Sequence, residues 1–209
     1  MFEAPLRKST RSVIAKLGKL AVAEGFYLTG GTALALSYGH RKSDDLDFFS
    51  PSPFSASELQ TALEQSFRLQ SKVLSEGTFH CELNKLKVSF LHYPYPVLRR
   101  FLEYEGVALS HPLDIALTKI IAIAQRGSRR DFVDLFWICH KGFTLPLLFK
   151  KIPQKYGKKN YSTYHLLRSL VYFVDAEKEP MPRLLVPLSW LQVKRFFEIE
   201  VRKLRLNRL

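Results

Sequence analysis

The sequence has few cysteines, few acidic residues and no long apolar run, and these shortages exclude several classes of protein. Only two cysteines occur in 209 residues, Cys81 and Cys139, and they lie far apart, which excludes a disulfide framework and a Cys-based zinc site. No apolar stretch reaches the roughly 18 residues that span a bilayer. The first twelve residues hold no apolar segment typical of a secretory signal. We therefore expect a cytoplasmic chain without a membrane partner.

Basic residues outnumber acidic ones by 32 to 19, which gives a net charge of +13 and a sequence pI near 9.8. Such a balance favours a polyanionic partner, such as nucleic acid, nucleotide phosphates or an anionic membrane face, without choosing among them. Hydrophobic residues make up 46% of the chain and aromatic residues 13%, which is enough to build a core and excludes general disorder.

The order of predicted elements indicates an α+β fold, because helices and a run of antiparallel strands mix without a regular βαβ alternation. Capping boxes at Ser55/Glu58 and Ser128/Asp131 predict two of the helix starts. The expected strands are 26–28, 45–49, 69–74, 78–83 and 86–92, and the expected longer helices are 9–24, 55–67, 112–126, 128–142, 145–156, 162–175 and 189–206. A boundary is expected near residue 143, with a mixed domain at 1–143 and a helical domain at 144–209.

The segment 28–49, LTGGTALALSYGHRKSDDLDFF, is the most informative part of the chain. A short strand runs into Gly30-Gly31-Thr32 and then into helical turns. Glycines allow the backbone to approach a ligand closely, and free N–H groups at a helix start favour anionic oxygens. This arrangement is typical of a phosphate-binding turn, although such a turn by itself is more often only a tight turn.

The same segment ends in Asp45-Leu46-Asp47 on a predicted strand. Residues i and i+2 of a strand point to the same face, so both carboxylates are expected at one spot. Two such charges repel each other by several kcal/mol in a low-dielectric site unless a cation lies between them, and Mg²⁺ with oxygen ligands meets that need. Alone the pair would be an ordinary strand edge, but after a phosphate-binding turn it indicates one functional unit.

GGTALAL…HRKSDDLDFF followed by DIALTKIIAIAQRGSRRDFVDLFWI resembles the AbiEii family. Members of that family are nucleotidyltransferase toxins of bacterial abortive-infection and toxin–antitoxin systems, within the superfamily that has a DNA-polymerase-beta-like palm. The resemblance covers roughly residues 10–140. It implies a nucleotidyltransferase palm, a mixed sheet flanked by helices, at 1–143, followed by a C-terminal helical bundle.

The resemblance also implies an activity, a cofactor and partners. The expected reaction is magnesium-dependent transfer of a nucleoside monophosphate from a nucleoside triphosphate to an acceptor hydroxyl. The positive charge favours RNA as the acceptor, for example the 3′ end of transfer RNA, and an antitoxin protein is an expected partner. The resemblance assigns magnesium to Asp45 and Asp47, and adds Lys119 and Asp131 to the catalytic set. The expected nucleotide-binding residues are Gly30, Gly31, Thr32, Arg41, Ser43, Lys119 and Arg126.

One position departs from the pattern of palm nucleotidyltransferases, which usually carry a third acidic residue on a later strand. The polar face of strand 86–92 presents Lys87 and Ser89, and neither is acidic. Glu82 or Asp114 could substitute, although neither matches by motif. The alternatives are a two-carboxylate site, reliance on Asp131, a nucleotide- or RNA-binding module without turnover, or transfer to a protein side chain.

Two other groups of residues carry weaker indications. His80, His92 and His111 share no metal-ligand spacing, so we expect no zinc site. Residues 150–159 contain five lysines, and together with Tyr156, Tyr161 and Tyr164 they form a basic, aromatic-interleaved pattern that suits either an RNA-binding patch or a solvated helix face.

Overall fold

The computed structural model describes residues 1–20, 24–157 and 161–206, and the chain forms two compact units. The first unit contains residues 1–96 and 100–111, and the second contains residues 97–99 and the chain from Pro112 onward. The boundary expected near residue 143 falls inside the second unit, because the two helices that precede it pack with the C-terminal helices.

The first unit is built on a mixed seven-stranded sheet in the order β3-β4-β5-β2-β1-β7-β6. β2 pairs parallel to β5 and antiparallel to β1, and β1 pairs parallel to β7. This mixed sheet with flanking helices is the predicted α+β class. The strands are β1 Tyr27–Thr29, β2 Leu46–Ser50, β3 Leu69–Ser75, β4 Thr78–Leu83, β5 Leu86–His92, β6 Leu102–Tyr104 and β7 Val107–Leu109, and the helices are α1 Lys8–Leu17, α2 Gly30–Tyr38 and α3 Ala56–Glu64.

One face of the central strands forms the core of this unit. Burial alternates along β2, with Leu46 and Phe48 buried and Asp47 half-buried on the opposite face. Phe48 stacks on Phe90 of β5 with ring centroids 5.2 Å apart. Cys81 of β4 is a free, buried thiol whose pKa burial raises to about 12, so it is a neutral core side chain. The apolar face thus anchors β2 and leaves its polar face for the site.

The N-terminal helix is shorter than its pattern predicts. It was expected to reach Glu24, but it ends at Leu17, and residues 21–23 lie outside the described part of the chain. The residue after the helix is Gly18, where a Cβ would collide with the carbonyl oxygen of Glu105, so the close approach of that backbone requires a glycine here.

The hairpin of β6 and β7 is absent from the sequence prediction. Its strands have three residues each, too few for a hydrophobic period to be visible, and Glu105 and Gly106 form the turn with φ of 53° and 75°. Pairing of β7 with β1 extends the sheet beyond the strands that the pattern predicts.

Helices make up the regular structure described in the second unit. They are α4 Pro112–Arg126, α5 Arg129–His140, α6 Leu145–Tyr156, α7 Thr163–Ser169 and α8 Trp190–Leu206, with a short 3₁₀ turn at Ala176–Lys178. The helix expected to reach Asp175 therefore ends at Ser169. No single described helix has the length and apolar composition to cross a membrane, although α5 and α6, bent by 112°, pass that test as a pair.

The capping box predicted at Ser128 and Asp131 is wrong, although α5 does begin at Arg129. The Ser128 hydroxyl donates to Glu179 at 2.7 Å and makes no cap hydrogen bond. The Asp131 carboxylate is engaged elsewhere, as described below. By contrast, Ser55 does cap α3, where it accepts from the Glu58 N–H at 3.3 Å.

The lysine-rich segment 150–159 is not a continuous basic surface. Lys155 is only 3% exposed and donates to Asp114 Oδ1 at 2.8 Å, while Tyr156 is 2% exposed. Residues 158–160 lie outside the described part of the chain. The same Asp114 carboxylate accepts the N–H groups of Leu98 and Arg99, at 3.0 and 3.1 Å. An internal ion pair therefore uses one of the lysines that the pattern placed at an RNA-binding patch.

Replacing Lys155 by Met should destabilise the second unit by about 3 kcal/mol, because the buried Asp114 carboxylate would lose its cation. The matched control is Lys150→Met, on the exposed side of the same helix, which should stay within about 0.5 kcal/mol of the native chain. Urea unfolding followed by tryptophan fluorescence measures this, because both tryptophans, Trp137 and Trp190, lie in the second unit. Equal effects of the two substitutions would contradict a structural role for this pair.

Candidate active site

The glycine turn and the strand carboxylate lie against each other in the first unit. Thr29 at the end of β1 is the register partner of Asp47 in β2, and α2 begins at the next residue, Gly30. Gly30 has φ of +67°, and a Cβ on it would lie 3.0 Å from Asp47 Oδ2. A side chain at this position would therefore be both strained and crowded, and the missing Cβ leaves the backbone next to the carboxylate open.

Arg41 and Ser43 close the other side of the turn. The Arg41 guanidinium occupies the space that a Cβ on Gly31 would need, and Ser43 Oγ lies 3.3 Å from the same position. The Thr32 hydroxyl donates to the backbone carbonyl of Asp45 and shares a 2.9 Å hydrogen bond with the Ser43 hydroxyl. Arg41 is 4% exposed, so its positive charge is held at the turn rather than in solvent.

The three acids of the Ser-Asp-Asp-Leu-Asp run have different surroundings. Asp44 pairs with Arg7 Nε at 2.8 Å and accepts the Thr10 hydroxyl at 2.9 Å, so it ties α1 to the loop before β2. Asp45 is exposed and Asp47 is half-buried. Asp44 is thus a structural residue, which leaves the i, i+2 pair that the pattern singles out for chemistry.

The donor set fits a magnesium ion. Carboxylate oxygens are hard ligands, and Mg²⁺ is usually bound by one or two carboxylates plus waters and substrate phosphates. Asp45 and Asp47 supply such a pair, and the missing Cβ of Gly30 keeps the side of Asp47 clear. No cluster of three or more His, Cys, Asp or Glu side chains suited to a metal occurs in the described residues.

The strand next to Asp47 carries a hydroxyl where a third acid was sought. Ser89 of β5 is the direct register partner of Asp47. Glu82 lies one strand further away, opposite Lys87, and is not in that row. Asp114 belongs to the second unit, where it is held by Lys155.

The second unit contains a separate cluster of charges on α4 and α5. Lys119 is 7% exposed, and its ammonium lies 2.6 Å from Asp131 Oδ1 and 2.8 Å from Asp134 Oδ2. Arg126 donates from Nε to Asp131 Oδ2 at 2.8 Å and from Nη2 to Oδ1 at 3.1 Å. Lys119 and Arg126 are seven residues apart, and Asp131 and Asp134 are three apart, so helical spacing places each pair on one face, as these contacts show. Of these four side chains Arg126 is the most accessible, at 63% exposed.

The ionisation of Asp131 is controlled by its two cationic neighbours. Burial alone would raise the pKa of this carboxyl, but the charges and hydrogen bonds of Lys119 and Arg126 outweigh burial and hold the pKa below its ordinary value of 3.8. Asp131 is therefore a buried carboxylate, with both oxygens engaged, at any physiological pH.

The structure thus brings the predicted residues together in two groups. The group in the first unit surrounds the glycine turn and consists of Gly30, Gly31, Thr32, Arg41, Ser43, Asp47 and, through its backbone carbonyl, Asp45. The group in the second unit consists of Lys119, Arg126 and Asp131. Sequence reasoning missed the roles of Asp44 and Asp134, since only tertiary contacts distinguish them from their neighbours.

Comparison with known proteins agrees with this geometry. The model of the family described as "Nucleotidyl transferase AbiEii toxin, Type IV TA system" matches residues 13–107. An uncharacterized protein of Aquifex aeolicus (strain VF5) is 36% identical over 203 residues, which span 95% of this chain and 97% of that protein.

Two solved structures share the fold at low sequence identity. MenT4, a nucleotidyltransferase toxin from Mycobacterium tuberculosis H37Rv, superposes with a TM-score of 0.56 at 17% identity, over 96% of this chain and 84% of that one. JHP933 from Helicobacter pylori superposes with a TM-score of 0.53 at 16% identity, over 97% and 96% of the two chains.

The match to the nucleotidyltransferase family model, together with the shared fold, assigns the chain to the nucleotidyltransferase class of enzymes. More narrowly, it belongs to the AbiEii family of nucleotidyltransferase toxins.

Replacing Asp131 by Asn should cost about 3 kcal/mol at neutral pH, because Lys119 and Arg126 would lose a buried counter-charge. Since the folded pKa of Asp131 is lowered, this stabilisation is complete above pH 3.8 and is lost as the pH falls below that value toward the folded pKa. The stability difference between native chain and variant should therefore shrink on acidification, as followed by tryptophan fluorescence in urea. Asp175→Asn, at an exposed pair with Lys178, should change stability by less than about 0.5 kcal/mol.

Proposed function

We propose that the chain transfers a nucleoside monophosphate from a nucleoside triphosphate to a hydroxyl of RNA and releases pyrophosphate. The observation that carries the proposal is the position of Gly30, whose backbone lies against the Asp47 carboxylate at the start of α2. Phosphates bound at this turn would lie next to the carboxylates that are proposed to hold Mg²⁺.

The turn supplies the groups that bind phosphate. The first N–H groups of α2 have no partner within the helix, and α2 has nine residues, so they favour anionic oxygens. Arg41, packed against Gly31, adds a cation that is already in place before the nucleotide arrives. The hydrogen bond between Thr32 and Ser43 holds the loop before β2 to the glycine turn. This pre-organisation reduces the free-energy cost of binding the nucleotide.

Asp45 and Asp47 are proposed to hold Mg²⁺. When bound, the ion would neutralise charge on the transferred phosphate and on the leaving pyrophosphate. The protein's own contribution is to fix Asp47 in the middle of the sheet, between β1 and β5. This arrangement needs no covalent intermediate on the enzyme, since positioning and charge stabilisation suffice for phosphoryl transfer.

In the second unit we propose Arg126 as the group that contacts phosphate. Its side chain is accessible, whereas the Lys119 ammonium is bonded to two buried carboxylates. Asp131 would then act by orienting Arg126 through two hydrogen bonds. Direct contact of Lys119 with the triphosphate, and of Asp131 with nucleotide or acceptor, stay predictions of the family resemblance, as does a functional domain that spans 1–143.

The acceptor and the biological setting are also part of the proposal. A net charge of +13 supports a polyanionic acceptor, and the 3′ end of transfer RNA is the acceptor we favour. Membership of the AbiEii family supports growth inhibition that an antitoxin protein relieves, in the cytoplasm where such RNA is found.

The test is incubation of the purified chain with Mg²⁺, each α-labelled nucleoside triphosphate in turn, and total bacterial RNA. The native chain should label a band of transfer-RNA size. Asp45→Asn or Asp47→Asn should lower the rate by at least about 100-fold, because each removes a carboxylate that would hold the Mg²⁺ needed to neutralise charge in the transition state. The matched control is Asp44→Asn, which removes a neighbouring acid and should leave the labelling rate within about threefold.

Three other outcomes would revise the proposal. Triphosphate binding without any labelled product would favour a nucleotide-binding module, and label in a polypeptide band would favour a protein acceptor. Labelling that persists in the Asp45→Asn and Asp47→Asn variants would contradict the mechanism itself.

Arg126→Ala should raise the KM for the nucleoside triphosphate or for RNA by about tenfold, because one charge-assisted phosphate contact is lost. Arg130→Ala, on α5, is the matched control, and we expect it to leave both values within about twofold. Steady-state labelling at varied triphosphate and varied RNA separates the two substrates. Unchanged KM values for both in Arg126→Ala would contradict a phosphate contact at this position.

A further inference from the structure

A row of polar side chains crosses the sheet through Asp47. Its register partners are Thr29 on β1 and Ser89 on β5, and Ser89 is in turn the partner of His80 on β4. Neighbouring strands lie about 4.8 Å apart, and register partners project from the same face. Ser89 is thus the residue beside Asp47, and His80 follows it.

The Ser89 hydroxyl and the His80 imidazole form a hydrogen-bonded pair. Ser89 Oγ lies 2.9 Å from His80 Nδ1, and both residues are half-buried. On its other side His80 faces Val73 of β3, which offers no polar side chain. A hydroxyl bonded to an imidazole nitrogen can pass a proton along that bond.

We propose that Ser89 and His80 together accept the proton of the attacking hydroxyl, in place of the third carboxylate that this chain lacks. This inference rests on the proposed nucleotidyl transfer. The acceptor O–H would hydrogen-bond to Ser89 Oγ, and the Ser89 O–H to His80 Nδ1. The proposal requires the His80 proton to be on Nε2, so that Nδ1 can accept the hydrogen bond from Ser89.

The transfer balances without an additional reactant. The acceptor oxygen forms a bond to the α-phosphorus while the bond from that phosphorus to the pyrophosphate oxygen breaks, and pyrophosphate leaves with the electron pair. The acceptor proton moves to Ser89 Oγ as the original Ser89 proton moves to His80 Nδ1. The imidazolium formed then releases a proton to solvent. Ser89 ends the cycle as it began, and no covalent adduct forms on it.

The first experiment compares Ser89→Ala and His80→Ala with the native chain. Each should lower kcat for RNA labelling by about 100-fold, the size of a typical general-base contribution, while the KM values for triphosphate and RNA change less than about threefold. The double variant should lose no more than either single one, because the two residues act as one unit. Thr78→Ala is the matched control, since Thr78 lies on the same strand and face but opposite Leu91.

A second variant separates proton transfer from support of the sheet. Ser89→Asp combined with His80→Ala places a carboxylate beside Asp47 and should recover at least about tenfold of the lost kcat, because a carboxylate accepts the proton itself. A pair that only stabilised the strands would gain nothing from this change. Unfolding midpoints in urea, measured by circular dichroism, should be similar for all of these variants.

A measurement of the His80 tautomer decides the proton's direction without any turnover. Imidazole nitrogen NMR of the native chain, assigned with His80→Ala, should show an unprotonated Nδ1 whose signal shifts in Ser89→Ala. Three results would each overturn the inference. They are a proton on Nδ1 of His80, a kcat of Ser89→Ala within about threefold of native, and no recovery of kcat in the variant that combines Ser89→Asp with His80→Ala. Absence of labelling by the native chain would instead count against the proposed function, and the tautomer would still test the pair.

Discussion

The contact between the Gly30 backbone and the Asp47 carboxylate is the constraint on which the rest of the site depends. A carboxylate repels the phosphates that must bind beside it, so the two can meet only where backbone N–H groups and cations are already placed. The antiparallel register of Thr29 with Asp47 sets the start of α2 opposite the acid, and Arg41 is packed against the same turn. The buried face of β2, with Phe48 stacked on Phe90, makes that register costly to shift.

In the second unit, several charged side chains are buried and paired with one another. Lys155 and Asp114 form one buried pair, and Lys119 with Asp131 and Asp134 forms a buried cluster. These groups are stable as ions only because each has an opposite charge within hydrogen-bonding distance. Lys119 and Lys155 are therefore not accessible to a polyanion, although the carboxylates that pair with them are buried as well, and Arg126 carries the accessible part of its cluster.

Long patterned elements could be predicted from the sequence, and short or contact-dependent ones could not. β4, β5, α4 and α6 occur within a residue of their expected bounds, because each shows a clear period or a capping signal. The three-residue strands β6 and β7 have no readable period. One other error has a tertiary cause, since the Ser128 hydroxyl bonds Glu179 rather than capping its helix.

The sequence by itself determined the chemistry of the site, since the types and order of Gly30, Gly31, Asp45 and Asp47 are enough to indicate phosphates and a divalent ion and to identify the family. Local spacing also placed Lys119 and Arg126 on one helix face. Only the tertiary structure decided that Asp44 is structural and that Lys155 is buried. It also decided that His80 is hydrogen-bonded to Ser89, the register partner of Asp47. The physical reason is that strand register and burial are set by packing between segments distant in sequence, which local spacing does not contain.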